Sequence, residues 1–201
     1  MNGTTNKKTL FMVKLALMTA LIFVMAFSPL GYLRTPGLTI TFLTVPVAVG
    51  AIIMGPAAGA ACGLAFGITS FISALTGSSP FSAMLLSINP AALFFTCLVP
   101  RILEGWLCGL IFAALRPHFK NSSYIIASLS CPLLNTILFM GSLVFFFYRT
   151  DYVQNLASSL GAANPIMFIV LFVGIQGLIE AVVCTLIGSA VSRSLAAAMK
   201  H

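Results

Sequence analysis

Apolar runs, each roughly the 20 residues that cross a bilayer, succeed one another along this chain. Charge falls deep inside them at Arg101, Glu104 and Glu180. Only 6% of the 201 residues are charged and 60% are hydrophobic. A soluble domain carries about 25% charged residues because its surface faces water. This chain cannot cover a water-facing surface, but it can cover a lipid-facing one. The sequence therefore predicts an all-α membrane protein forming one transmembrane domain over 1–201, with no length left for a second sizeable domain.

The net charge of +7 does not point to nucleic acid. The basic residues sit singly or in pairs at the ends of apolar runs, which is how topology is set in a bilayer. Cys62, Cys97, Cys108, Cys131 and Cys184 all lie inside apolar runs without a CxxC or Cys/His pair, so they read as small apolar helix residues rather than metal ligands.

Six spans are predicted, at about 11–28, 40–54, 57–75, 91–115, 123–147 and 165–196. Lys7, Lys8 and Lys14 before the apolar stretch 15–27 resemble a signal peptide, but no clear small-x-small cleavage site follows, so it reads as the first span. The second is short and interrupted by Pro46, and the sixth is longer than a bilayer needs. The segment 29–39 is rich in turn formers and too polar to span, and TGSSPFSAMLLSINP before the fourth span reads as another loop. With both termini cytoplasmic, Lys7, Lys8, Lys14, Arg116, Lys120, Arg193 and Lys200 lie inside and only Arg34 and Arg149 outside.

Gly55, Gly59, Gly63 and Gly67 recur every four residues and predict a small-residue ridge on the third span, with Gly105 and Gly109 doing the same on the fourth. Ala16 and Ala20 make a further small-xxx-small pair, which serves either internal packing or the docking of another subunit.

Polar residues gather at one depth. Arg101 lies fifteen residues before Arg116, Asn135 fifteen after Lys120, Ser70 fifteen after Gly55, Glu180 thirteen before Arg193 and Gln176 seventeen. At 1.5 Å per residue all sit roughly 20–25 Å from the cytoplasmic ends, at or beyond the middle of the hydrocarbon. Charge at that depth costs at least about 2.5 kcal/mol per residue, so these groups face the bundle interior or a watery cavity. One outcome is an ion pair of Arg101 with Glu104 or Glu180 that locks helices together. The other is a pocket for an amphiphilic solute: Arg101 matches a carboxylate, Asn135 and Gln176 donate and accept, and Glu180 accepts from a hydroxyl. Ser70, Asn89 and Tyr32 complete the candidate binding residues. The segment 30–39 is either a lid, with Tyr32 and Leu33 over the ligand, or a plain connector.

No GxxxxGK[ST] motif occurs, so the chain itself does not bind ATP by a P-loop. Its histidines, His118 and His201, sit at the cytoplasmic edge, and GxSxG and HExxH do not occur, which argues against an intramembrane hydrolase. No catalytic residue, metal or cofactor is expected.

The order of motifs resembles a known family. The Ala16/Ala20 pair is followed by SPLGYLRTPGLTITFLTVPVAVGAIIMGPAAGAACGLAFGITSF, then VPRILEGW, an Asn-Thr in the fifth span and a glutamate in the sixth. Over nearly the whole chain this looks like the substrate-binding S component of an energy-coupling factor (ECF) vitamin transporter, most similar to the pantothenate type. The resemblance implies a six-helix subunit in a prokaryotic cell membrane that binds one water-soluble vitamin from outside. It also implies a transmembrane coupling subunit contacted by Ala16 and Ala20, and two cytoplasmic ATPase subunits. Folate, cobalamin and riboflavin binders share the scaffold. A self-sufficient carrier using Glu104 or Glu180 as a proton relay and a purely structural membrane protein stand as alternatives.

Overall fold

The computed structural model describes the backbone of residues 2–28, 31–35 and 38–198, and their side chains except at 2–6, 32–35, 38–40 and 175. The order is α1 (Asn2–Ala26), β1 (Tyr32–Thr35), β2 (Leu38–Thr41), α2 (Thr44–Met54), α3 (Pro56–Leu75), α4 (Pro80–Ile88), α5 (Pro90–Leu115), α6 (Ser122–Phe147), α7 (Asp151–Ser159) and α8 (Pro165–Ala198).

Prolines mark where helices begin. Pro56, Pro80, Pro90 and Pro165 each open a helix, where the missing N–H has no intrahelical partner to lose. Pro46 falls in the first turn of α2 and starts that helix rather than interrupting it. Gly55, at φ 95°, joins α2 to α3 in a conformation that a side chain would strain, and is the turn rather than part of the ridge.

Among the described residues, five segments are long and apolar enough to cross a membrane: Lys7–Ala26, Pro56–Leu75, Pro90–Leu115, Ser122–Phe147 and Gln176–Ala198. The expected second span is a different object. Its first residues, Ile40 and Thr41, belong to an antiparallel hairpin in which Tyr32 pairs with Thr41 and Thr35 with Leu38. The aromatic and β-branched residues of YLRT and LTIT favour extended backbone over helix. Helix α2 is only 11 residues, about 16 Å at helical rise. It is buried almost all round, among α1, α3, α5, α6 and α8. A helix that apolar on every side belongs in a core. The loop expected before the fourth span contains the short helix α4, and the stretch between the fifth and sixth spans contains α7.

The glycine ridge packs α3 against α5. A methyl at Gly59 would overlap Gly105 O, one at Gly63 would overlap Arg101 O, and one at Gly67 would sit 2.8 Å from Cys97 O. Backbone approaches backbone directly, as small residues permit.

The apolar core divides in two along the bundle. One cluster, including Ile22, Val47, Phe66, Cys108, Tyr124 and Cys131, lies toward the Arg116 end. The other, including Leu85, Leu93, Met140, Phe147, Val153 and Phe168, lies toward the opposite end. Arg101, Asn135, Gln176 and Glu180 fall between the two clusters along α5, α6 and α8.

Candidate ligand pocket

The mid-depth polar residues line a cavity with two chambers. The outer chamber, about 680 Å³, extends toward the end of the bundle formed by α4, α7 and the start of α8. It is bounded by Ser70 and Ser73 of α3, Ser79, Phe81 and Ser82 at the start of α4, Tyr152 and Leu156 of α7, and Phe172 of α8. The inner chamber, about 130 Å³, is bounded by Phe66, Asn135, Thr136, Met140 and Glu180. Arg101, Ser70, Phe139, Phe172, Gln176 and Thr41 line both, so they form the neck between them.

Arg101 is 7% exposed, and its position is set from several sides. Its Nη1 donates to Thr96 O at 2.9 Å. Its guanidinium carbon lies 4.2 Å from the Phe139 ring centre and 5.2 Å from that of Phe66. Desolvated cation–π contacts of this kind contribute about 2 kcal/mol. Nε has no hydrogen-bond partner among the described residues.

The acidic residues divide. Glu180, 6% exposed, faces the inner chamber. Its Oε1 is buried and has no hydrogen-bond partner among the described residues. Glu104 is fully buried, lines neither chamber, and neither of its oxygens has a partner among those residues. Of the two ion pairs considered for Arg101, with Glu104 or with Glu180, the one with Glu104 has no hydrogen bond among the described residues; Arg101 Nη1 donates to Thr96 O and the guanidinium lies over the Phe66 and Phe139 rings.

Ser70, Arg101, Asn135, Gln176 and Glu180 converge on the cavity. Asn89 instead caps α5, its Oδ1 accepting from Ala92 N at 3.0 Å, and lines neither chamber. A side chain that satisfies an orphan N–H at a helix start is committed there. Tyr32 is in β1, and its side chain lies outside the described ones; of the segment 30–39, the residues 30, 36 and 37 also lie outside the described residues. Phe66, Phe139, Phe172 and Thr41 are additional wall residues. Phenylalanines in a membrane helix carry no sequence mark that separates pocket wall from lipid face.

The cysteines are all free and buried. Cys184 Sγ lies 2.8 Å from Thr44 Oγ1, Cys131 Sγ donates to Thr44 O at 3.6 Å, and Cys108 Sγ donates to Ala127 O at 3.2 Å, so three of them tie α2, α5, α6 and α8 together. On the opposite surface requirement, Ala16 and Ala20 of α1 are exposed beside Leu17, which is 63% exposed.

The fold is thus an apolar helical bundle with a cation-bearing cavity among its helices, the kind of concave site in which small ligands bind. The family model for the ECF transporter substrate-specific component matches residues 10–192. The chain belongs to that family. Over 130 residues, 61% of this chain, it is 28% identical to the pantothenic acid transporter PanT of Lactococcus lactis subsp. cremoris. The match spans 64% of that protein, less than two thirds of its length.

Proposed function

We propose that this chain is the pantothenate-binding subunit of an ECF-type uptake transporter in the cell membrane. In this reading six segments traverse the membrane, the second of them over about 40–54 and containing α2, and both termini are cytoplasmic. The excess of Lys and Arg at the Arg116 end supports that orientation. The outer chamber then opens to the outside, and the hairpin ending at Thr41 acts as a lid.

The observation that carries the ligand choice is the set of buried groups around the neck and inner chamber. Arg101 supplies a charge-assisted donor for a carboxylate. Glu180 Oε1 and Asn135 Oδ1 are buried acceptors without partners among the described residues, and buried polar atoms are normally satisfied. Pantothenate has a carboxylate, an amide and hydroxyls, and it is what the similar Lactococcus protein is named for. Energy comes from ATPase subunits through a coupling subunit that packs on Ala16 and Ala20.

Thermal-shift screening of the detergent-solubilised chain against the water-soluble vitamins tests this. Pantothenate is expected to raise the melting temperature most. A larger rise with folate, riboflavin or cobalamin would reassign the ligand, and no rise with any of them would remove the binding-subunit reading.

A further inference from the structure

The two chambers differ in chemistry as well as size, and the difference orients the ligand. The inner chamber, which Arg101, Thr136 and Gln176 also line, holds two buried acceptors without a hydrogen-bond partner among the described residues, Glu180 Oε1 and Asn135 Oδ1. Such atoms need donors, which hydroxyl groups have and a carboxylate lacks. A ligand carboxylate placed there would bring only further acceptors to these two atoms. Arg101, at the neck, reaches both chambers. Beyond it the outer chamber is roughly five times larger than the inner one, from volumes of about 680 and 130 Å³.

We propose that the ligand enters hydroxyl end first. The hydroxylated end fills the inner chamber against Glu180 and Asn135, and the carboxylate stops at Arg101, facing the mouth. This rests on the pantothenate reading and deepens it into a substrate range. Compounds extended beyond the carboxyl end, by an amide in place of the acid, place the added atoms in the outer chamber among Ser73, Ser79 and Tyr152 and are accepted. Compounds carrying a phosphate on the terminal hydroxyl are refused, because the added group is bulky, brings no neutral donor and meets Glu180 in the small chamber.

The test is competition against labelled pantothenate on the purified chain, with pantetheine as the carboxyl-extended probe and 4′-phosphopantothenate as the hydroxyl-extended one. Pantetheine is expected to compete, more weakly than pantothenate because it lacks the charge for Arg101. 4′-Phosphopantothenate is expected not to compete. Arg101→Ala should weaken pantothenate by roughly tenfold or more, as for loss of a charge-assisted hydrogen bond, and pantetheine clearly less. Competition by 4′-phosphopantothenate but not pantetheine would overturn the orientation while leaving the pantothenate reading intact. So would an equal loss for both ligands in Arg101→Ala. Failure of pantothenate itself to bind would overturn both.

Discussion

Arg101 donates from Nη1 to Thr96 O at 2.9 Å, and Thr96 O is the carbonyl that Pro100 leaves without a helical donor. In a regular helix the N–H of residue 100 would bond to the carbonyl of residue 96. Proline has no N–H, so the carbonyl is open inside an apolar bundle and the guanidinium takes it. One residue thus frees the acceptor that holds its neighbour's charge at the neck of the cavity.

Pro100→Ala should restore the helical bond to Thr96 O and put it in competition with Arg101. The expected outcome is ligand affinity lower by about 1 kcal/mol, the net worth of a hydrogen bond, with melting temperature held or raised. Calorimetric titration beside a melting curve checks both. An unchanged affinity would mean that Thr96 O does not position Arg101.

Gly63 lies against Arg101 O, so a side chain there must push α3 from α5. Gly63→Ala should destabilise the bundle by about 1–3 kcal/mol, the usual cost of overpacking. Its ligand affinity should fall as well, since Arg101 shifts with its backbone. A thermal melt indistinguishable from wild type would contradict the close approach.

Glu104 lines neither chamber, and both its oxygens are without partners among the described residues. Glu104→Gln is therefore expected to leave ligand affinity within about twofold, well under the 1.4 kcal/mol that corresponds to tenfold. A large loss of binding would bring Glu104 into the site. Gradient-driven uptake by the chain alone in proteoliposomes, abolished by Glu104→Gln, would instead favour an ion-coupled carrier.

Much of this fold was legible in the sequence because the bilayer imposes a simple rule on composition and length. The apolar runs around Pro56–Leu75 and Pro90–Leu115 follow it directly. The Gly59–Gly63–Gly67 spacing told which face of α3 meets a neighbour, though not that Gly105 and the Arg101 backbone would be that neighbour. The depth argument brought Arg101, Asn135, Gln176 and Glu180 together because rise per residue converts spacing into height. It could not separate Glu104 from Arg101, since residues three apart share a face only approximately and the side-chain direction decides which reaches the cavity. The hairpin was missed because a hydropathy run does not distinguish extended from helical backbone over so few residues. Asn89, a candidate binding residue from the sequence, caps α5, and its neighbour Pro90 is the sequence mark of such a helix start.

Ala16 and Ala20 are exposed on α1, away from the cavity walls. Ala16→Leu with Ala20→Leu should leave vitamin binding by the isolated chain unchanged while reducing ATP-dependent uptake when it is reconstituted with coupling and ATPase subunits. Co-purification of those subunits should fall in parallel. Full uptake by the double variant would place the docking surface elsewhere.

The most direct test is equilibrium binding of labelled pantothenate to the purified chain, wild type beside Arg101→Ala, at matched thermal stability. The account predicts saturable one-to-one binding by the wild type and a loss of roughly 1.5–3 kcal/mol in the variant, the worth of a hydrogen bond to a charged group. Equal binding by both proteins, or none by the wild type, would contradict it.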